Sequence, residues 1–161
     1  NYTFSRSFRK VLASETQLSI NNGEWFASNY DKPHSLNVNM TKKLSRMTNL
    51  SLNFTYSTGR PITAPVSSFS VDNVLSVPIF SERNQFRIPD YHRLDLSYSI
   101  GPFGKLEKGR EHKLVFSIYN LYSRRNAYSV YFRQVPSRSV SVFRIATLGS
   151  IFPSVTYNFK F

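Results

Sequence analysis

Apolar and polar residues alternate one by one along several segments of the chain, and helical spacing of apolar residues is nowhere sustained. In residues 49–57, leucine or an aromatic residue occupies every second position and Asn, Ser or Thr the positions between. Successive side chains of a strand point to opposite faces, so this alternation predicts strands with one apolar and one polar face. Six such strands are predicted, at about 1–9, 35–41, 49–57, 92–100, 112–122 and 144–161.

The connections between these strands alternate between long and short. Long polar connections are predicted at about 10–33, 60–91 and 123–143, and short turns near 45–48 and 101–110. Proline removes a ladder donor, and the second long connection contains four prolines, so no central strand is expected in it. Residues 127–133 are predicted to form an extended arm above the fifth strand.

Two positions disturb the alternation. Arg6 interrupts the apolar face of the first strand, and it is expected at the head-group level of a membrane, where a charge costs little. The pattern of the fifth strand blurs at Tyr119 and Asn120, which predicts a β-bulge there.

The strand lengths and the connections together indicate a membrane wall. A transmembrane β-strand needs about 9–11 residues, and outer-membrane barrels place long loops outside and short turns in the periplasm. The expected fold is therefore all-β, an antiparallel transmembrane β-barrel segment of about six strands. Because bacterial single-chain barrels begin at about eight strands, the chain is expected to be a piece of a larger barrel or to pair its edges with another chain.

Charge and composition leave a second class open. The chain has 21 Lys and Arg against 9 Asp and Glu, a formal charge of +12, which favours a polyanion as partner. The basic residues are scattered and no nucleic-acid motif is present, so lipopolysaccharide phosphates are preferred to nucleic acid. A soluble polyanion-binding β domain stays as an alternative. The chain has no cysteine, no apolar run of membrane-helix length and no signal peptide, which suggests a mature product or an internal fragment.

Three motifs occur in a characteristic order: residues 58–63 (TGRPIT), 87–97 (RIPDYHRLDLS) and 117–126 (SIYNLYSRRN), followed by the terminal segment 153–161. In this order they resemble the C-terminal barrel segment of TonB-dependent outer-membrane transporters of the kind abundant in Bacteroidota. The resemblance covers nearly the whole chain, so residues 1–161 are expected to be one C-terminal portion of the barrel wall.

The resemblance implies a 22-stranded barrel in the outer membrane of a Gram-negative bacterium, closed by a plug whose TonB box receives energy from the inner membrane. Neither plug nor TonB box is present in the sequence. The expected function is a share in importing a nutrient that the sequence does not identify. The implied partners are lipid, lipopolysaccharide, the rest of the barrel and TonB through the plug. The alternative is a transporter-like scaffold in an assembly, secretion or glycan-uptake complex, with a surface lipoprotein or other outer-membrane subunits.

Two groups of residues are candidate functional sites. Trp25, Phe26 and Tyr30 in the first long connection are candidates for substrate contact, although packing against neighbouring loops is the preferred interpretation. The resemblance implies that Phe161, with Phe159 and Tyr157, forms the signal read by the barrel-insertion machinery. The competing interpretation is an aromatic girdle at the periplasmic interface.

Catalysis, metals and cofactors find no support in the sequence. His34, His92 and His112 are isolated, so interfacial or loop positions are preferred to a metal site. His92 and Asp95 are three residues apart and would face opposite sides of a strand, whereas Arg93 and Asp95 share a face and are predicted to form an ion pair. With no credible Ser/His/Asp set, no enzyme and no cofactor are expected. The four N-x-Ser/Thr sequons are attributed to the polar strand faces.

Overall fold

A computed structural model describes residues 1–13, 19–71, 75–103, 111–133 and 141–160 of the chain. Over these ranges the protein is all-β, and every strand pair is antiparallel. The strands are β1 (Tyr2–Phe4), β2 (Phe8–Arg9), β3 (Phe26–Ala27), β4 (His34–Lys43), β5 (Thr48–Ser57), β6 (Pro61–Ile62), β7 (Pro65–Val71), β8 (Leu75–Phe80), β9 (Phe86–Arg87), β10 (Tyr91–Phe103), β11 (Glu111–Tyr119), β12 (Ala127–Arg133), β13 (Ser141–Ala146) and β14 (Phe152–Lys160). A short 3₁₀ turn spans Ile20–Gly23.

Six of these strands form the main sheet, in the order β1-β4-β5-β10-β11-β14. The other strands pair two by two, as β2 with β3, β6 with β9, β7 with β8, and β12 with β13. The prediction of an all-β antiparallel fold with six principal strands is confirmed. Within the described residues the sheet is open, and β1 and β14 form its two edges.

The register keeps one parity on each face from edge to edge. Leu52 on β5 pairs with Met40 on β4 and Leu96 on β10, and each of these pairs places apolar side chains next to each other. The apolar face carries Tyr2, Phe4, Leu36, Val38, Met40, Leu50, Leu52, Phe54, Leu94, Leu96, Ile100, Leu114, Phe116, Ile118, Val155, Tyr157 and Phe159. The polar face carries mainly Ser, Thr and Asn, with Arg93 and Asp95 among them.

No element of the described chain packs as a second layer against this sheet. Among the described residues the buried apolar side chains are those of Phe26, Ile88 and Pro61, and all three lie outside the main sheet. The side chains of the apolar face are exposed or half-buried; Met40, for example, is 60% exposed. A sheet normally buries its apolar face against another element, so the described chain lacks the hydrophobic core of an ordinary soluble domain. No helix in the described part of the chain is long and apolar enough to span a membrane.

The two ends of the main sheet differ. At one end, here named the loop end, β1, β5 and β11 finish and β4, β10 and β14 begin, so the long connections meet there. The opposite end, the turn end, joins β4 to β5 through residues 44–47. The predicted alternation of long and short connections is confirmed for these connections. Most of the predicted turn at 101–110 lies outside the described residues.

Two strand predictions were wrong because loop contacts override local alternation. The predicted strand 1–9 breaks after Phe4, and Phe8–Arg9 leaves the sheet to pair with Phe26–Ala27. The last strand begins at Phe152 rather than near residue 144, because residues 141–146 instead pair with β12. Residues 127–133 are extended as predicted, and they form β12, one strand of a two-stranded ribbon with β13.

Two smaller predictions were also wrong. The fifth strand has no bulge at Tyr119; the strand ends there, and Asn120 turns the chain with a φ of 57°. The fourth strand continues to Phe103 and carries its irregularity between Ile100 and Phe103. The proline-rich second connection contributes no strand to the main sheet, as predicted; its strands form two separate ribbons.

Candidate functional site at the loop end

The first connection is anchored to the sheet by a buried carboxylate. Asp31 is 1% exposed and accepts hydrogen bonds from the Ser7 backbone N–H at 2.8 Å and from Arg6 Nε at 3.2 Å. Arg87 Nη2 donates to the other carboxylate oxygen. Arg6 therefore lies beyond the end of β1 in an ion pair with Asp31, so it does not interrupt the apolar face of that strand.

Arg87 links three segments of the loop end. Besides the Asp31 carboxylate, its guanidinium donates from Nη1 to the backbone oxygens of Asp31, at 2.7 Å, and Gly59, at 2.9 Å. These bonds join the first long connection to both ends of the second. An arginine suits this role because its five N–H groups are held in a rigid planar fork.

A second carboxylate anchors the segment after β5. Asp90 accepts a hydrogen bond from the Tyr56 hydroxyl at 2.7 Å and from the Gly59 backbone N–H at 2.9 Å. A side chain at Gly59 would place its Cβ 1.8 Å from the Ile88 carbonyl oxygen. Only glycine allows the two segments to approach this closely. The TGRP and RIPD motifs are therefore two halves of one contact.

The third motif is organised around Asn120, which is 1% exposed. Its side-chain Oδ1 accepts from the Arg124 backbone N–H at 3.0 Å, and its Nδ2 donates to the carbonyl oxygens of Arg124 at 3.1 Å and Ser150 at 3.3 Å. The Asn120 backbone N–H donates to Asp95 at 3.0 Å. This side chain thus holds the β11 end, the following turn and the segment before β14 together.

Asn126 extends the edge of β10 beyond the end of β11. Its Oδ1 accepts from the His92 backbone N–H at 3.1 Å, and its Nδ2 donates to the His92 carbonyl oxygen at 2.9 Å. The amide side chain thereby makes the two hydrogen bonds that the backbone of a residue in a neighbouring strand would make. Arg124 supports it with an Nε bond of 3.2 Å to the same Oδ1.

The surroundings of the Asp31 and Asp90 side chains favour the ionised carboxylate. Burial alone would raise the pKa of Asp31, but hydrogen bonds from Ser7, Arg87 and Arg6 outweigh this and lower the pKa below its ordinary value. The Tyr56 hydroxyl and the Gly59 N–H lower the pKa of Asp90, against a smaller effect of burial. The oxygens of both carboxylates accept hydrogen bonds from loop residues. They therefore hold the loops in place and are not poised to act as general bases.

Arg93 and Asp95 form the predicted ion pair on the polar face. The Nη2–Oδ2 distance is 2.9 Å, and Nη1 of Arg93 also donates to the hydroxyls of Tyr91 at 2.8 Å and Tyr119 at 2.6 Å. The guanidinium carbon lies 4.0 Å from the centre of the Tyr119 ring. As the spacing predicted, His92 lies on the opposite face from Asp95. There its Nδ1 meets the Tyr122 hydroxyl.

All three histidines pair with tyrosines at the ends of strands on the apolar face. Nδ1 of His34 lies 2.7 Å from the Tyr2 hydroxyl, and Nδ1 of His92 lies 2.6 Å from the Tyr122 hydroxyl, both at the loop end. At the turn end His112 bonds the Tyr157 hydroxyl. No group of three or more potential metal ligands of the His, Cys, Asp or Glu type occurs in the described ranges.

The candidate residues named from the sequence differ in their burial. Phe26 is 8% exposed and packs in β3, whereas Trp25 is 65% and Tyr30 80% exposed. The preferred packing interpretation therefore fits Phe26 alone. Tyr157 and Phe159 stack with ring centres 6.0 Å apart on β14, and Phe161 lies outside the described residues.

A cleft of about 800 Å³ opens where the loop end meets the polar face. Its lining includes Lys32, Arg60, Tyr91, Tyr119 and Tyr128. None of the three sequence candidates in the first connection is among its lining residues. No single segment of the sequence indicates this cleft, because its walls combine the polar face of the sheet with residues of all three long connections.

Comparison of the chain with protein-family models, with curated proteins and with solved structures found no match.

Proposed function

We propose that the chain is part of the wall of a TonB-dependent outer-membrane transporter that imports a nutrient. One observation carries the proposal: a six-stranded antiparallel sheet whose apolar face is not covered by any element of the described chain. A face of this size in water would favour aggregation, and lipid is the environment that would cover it without a second protein layer. A polar opposite face then suits a water-filled interior.

The dimensions of the sheet support this environment. Its long strands β4 and β5 have 10 residues each, and about 3.4 Å per residue gives about 34 Å. A tilt of about 35–45° reduces this to the height of an apolar band of about 25 Å. The histidine–tyrosine pairs at both ends of the apolar face fit the interfacial belts, where amphipathic rings are enriched.

The anchored loops fit the same function. In a transporter the long connections would face outward, where their ribbons meet an incoming ligand. The three motifs that resemble the transporter family are those whose residues build the anchors Gly59, Arg87, Asp90 and Asn120. A soluble polyanion-binding domain, by contrast, would need a hydrophobic core, which the described residues do not form.

A scaffold in an outer-membrane complex is a second candidate, favoured by the two loop-end ribbons. The β12–β13 ribbon exposes Tyr131, Val142, Phe143 and Ile145, and the β7–β8 ribbon exposes Val66, Phe69, Ile79 and Phe80. Apolar side chains gathered on loops are typical of surfaces that bind another protein. Such a surface suits a surface lipoprotein or another outer-membrane subunit.

Membrane fractionation of the producing cell tests the proposal. The expected result is recovery in the outer-membrane fraction and solubility only in detergent. Recovery as a soluble protein without detergent would contradict it. A plug with a TonB box in the same polypeptide, and uptake that stops when the TonB complex is removed, would distinguish transport from scaffolding. Purification with a stable partner and no uptake defect would favour the scaffold.

A further inference from the structure

The loop-end cleft carries positive charge that no described residue neutralises through an ion pair. Lys32 and Arg60 line the cleft, and neither side chain forms an ion pair or hydrogen bond with a described residue. A smaller cleft of about 230 Å³ shares Arg60 and adds Arg83, whose guanidinium is likewise unpaired within the described ranges. The two clefts thus form one cationic surface.

Three carboxylates near the clefts have partners of their own. Asp31 is paired with Arg6 and Arg87, and Asp95 with Arg93. Asp90 accepts hydrogen bonds from Tyr56 and Gly59 and interacts electrostatically with Arg124 and Arg87. Glu82, next to Arg83 in the chain, is exposed and forms no ion pair with a described residue. Neither cleft has an Asp or Glu among its described lining residues. An anion bound in the cleft would give Lys32 and Arg60 the counter-charge that no described lining residue provides.

Hydroxyl donors complete the lining. The phenol oxygens of Tyr91 and Tyr119 accept hydrogen bonds from Arg93, and the two phenols also hydrogen-bond each other, so one O–H of the pair remains to donate. Tyr128 also lines the cleft and is 74% exposed, which leaves its ring available as a flat stacking surface. Cations and hydroxyl donors select an anionic group, and the ring favours a ligand that also has an apolar part.

We propose that this cleft binds a small organic anion, with its phosphate, sulfate or carboxylate group on Arg60 and Lys32 and its apolar part against Tyr128. The cleft volume of about 800 Å³ lies within the about 300–1,000 Å³ typical of small-molecule sites. The proposal goes beyond transport and does not depend on it, since binding can be measured whether or not the protein imports the ligand.

The test uses isothermal titration of the detergent-purified protein with phenyl phosphate, inorganic phosphate and phenol. Phenyl phosphate should bind more tightly than either of the other two, because only it offers both the charge and the ring. The variant Arg60→Gln should weaken phenyl phosphate binding by about tenfold, the value of one charge-assisted hydrogen bond. Tyr128→Ala should weaken phenyl phosphate without changing inorganic phosphate.

The matched control is the pair Lys42→Gln and Arg46→Gln at the turn end, compared with Lys32→Gln and Arg60→Gln. Both double variants remove two positive charges, but only the second pair lies at the cleft. Equal weakening by both pairs would reduce the effect to overall charge and overturn the proposal. Absence of phenyl phosphate binding, together with a lower melting temperature of Arg60→Gln, would also overturn it and assign the cleft to another part of the same protein.

Discussion

Arg87 binds both the side chain and the backbone of Asp31. Its Nη2 donates to the Asp31 carboxylate, and its Nη1 donates to the Asp31 carbonyl oxygen at 2.7 Å. The Asp31 side chain is fully buried, while the Arg87 side chain is 30% exposed. The contact spans 56 residues of sequence and closes the first long connection onto the second. A buried anion held by two arginines is stable only while all three groups are present.

Asp31→Asn should therefore loosen the first connection. The neutral amide leaves Arg6 and Arg87 without their counter-charge, and the expected loss is about 1–3 kcal/mol, limited by the partial exposure of both arginines. Hydrogen–deuterium exchange should accelerate at Ser7, whose N–H is bound by Asp31. Glu82→Gln, an exposed carboxylate with no ion pair among the described residues, is the control and should leave this exchange unchanged.

Acidification should release the same anchors. The folded-state pKa values of Asp31 and Asp90 lie below the ordinary value of 3.8, so the unfolded chain takes up protons first as pH falls. Their contribution is complete above that value and is lost as pH falls through the lowered pKa values. Melting temperature measured from neutral pH to below 3.8 should decline less steeply in Asp31→Asn than in the unmodified protein. Parallel curves would contradict the assignment.

Gly59→Ala should be strongly destabilising, because the new methyl group would lie 1.8 Å from the Ile88 carbonyl oxygen and force two backbone segments apart. The expected cost is about 1–3 kcal/mol, visible as a lower melting temperature. Gly149→Ala is the milder comparison, because its nearest contact, at 2.9 Å, is the Cγ atom of the Arg125 side chain and the nearest backbone atom lies 3.4 Å away. A similar loss in both variants would show that the Gly59 contact is not special.

Two substitutions of Asn120 distinguish the strain of its backbone from the loss of its side-chain hydrogen bonds. Both Asn120→Gly and Asn120→Ala remove the hydrogen bonds to Arg124 and Ser150, but only alanine is strained at a φ of 57°. Alanine should therefore be less stable than glycine by about 1–2 kcal/mol in chemical denaturation. Equal stabilities would mean that the turn relaxes to another conformation once the side-chain bonds are gone.

The two faces of the sheet predict opposite outcomes for neighbouring positions. If the apolar face meets lipid, Leu52→Arg should cost about 2–4 kcal/mol at mid-bilayer and reduce assembly. Asn53→Arg should be tolerated, since Asn53 pairs with Asn39 and Asp95 on the polar face. A heat-modifiability gel shift measures the folded fraction of each variant. Equal damage from both would contradict the assignment of the faces.

The main sheet was largely predictable from the sequence, because alternation is a local property and the strands are long. Residues 49–57 alternate without exception, and the structure has a strand from Thr48 to Ser57 with the predicted parity. The ion pair between Arg93 and Asp95 was predictable for the same reason, since residues two apart in a strand share a face. The six-strand count followed from repeating this reasoning along the chain.

The loop end was not predictable in this way. Asp31 and Arg87 are 56 residues apart, and nothing in the pattern around Asp31 marks it as a buried anion. The alternation of residues 1–9 even pointed to a continuous strand, which the pull of Arg6 towards Asp31 and the pairing of β2 with β3 interrupt. The cleft depends on three connections meeting, so no single segment contains its signal.

The sequence by itself determined the strands of the main sheet and which of their side chains share a face, because side-chain direction in a strand depends only on residue parity. Only the tertiary structure decided where Arg6, Asp31, Gly59 and Asn120 lie, since each makes contacts with residues far away along the chain. The alternation of a strand is determined within a few residues. An ion pair or a glycine contact depends instead on the distances between segments that folding brings together.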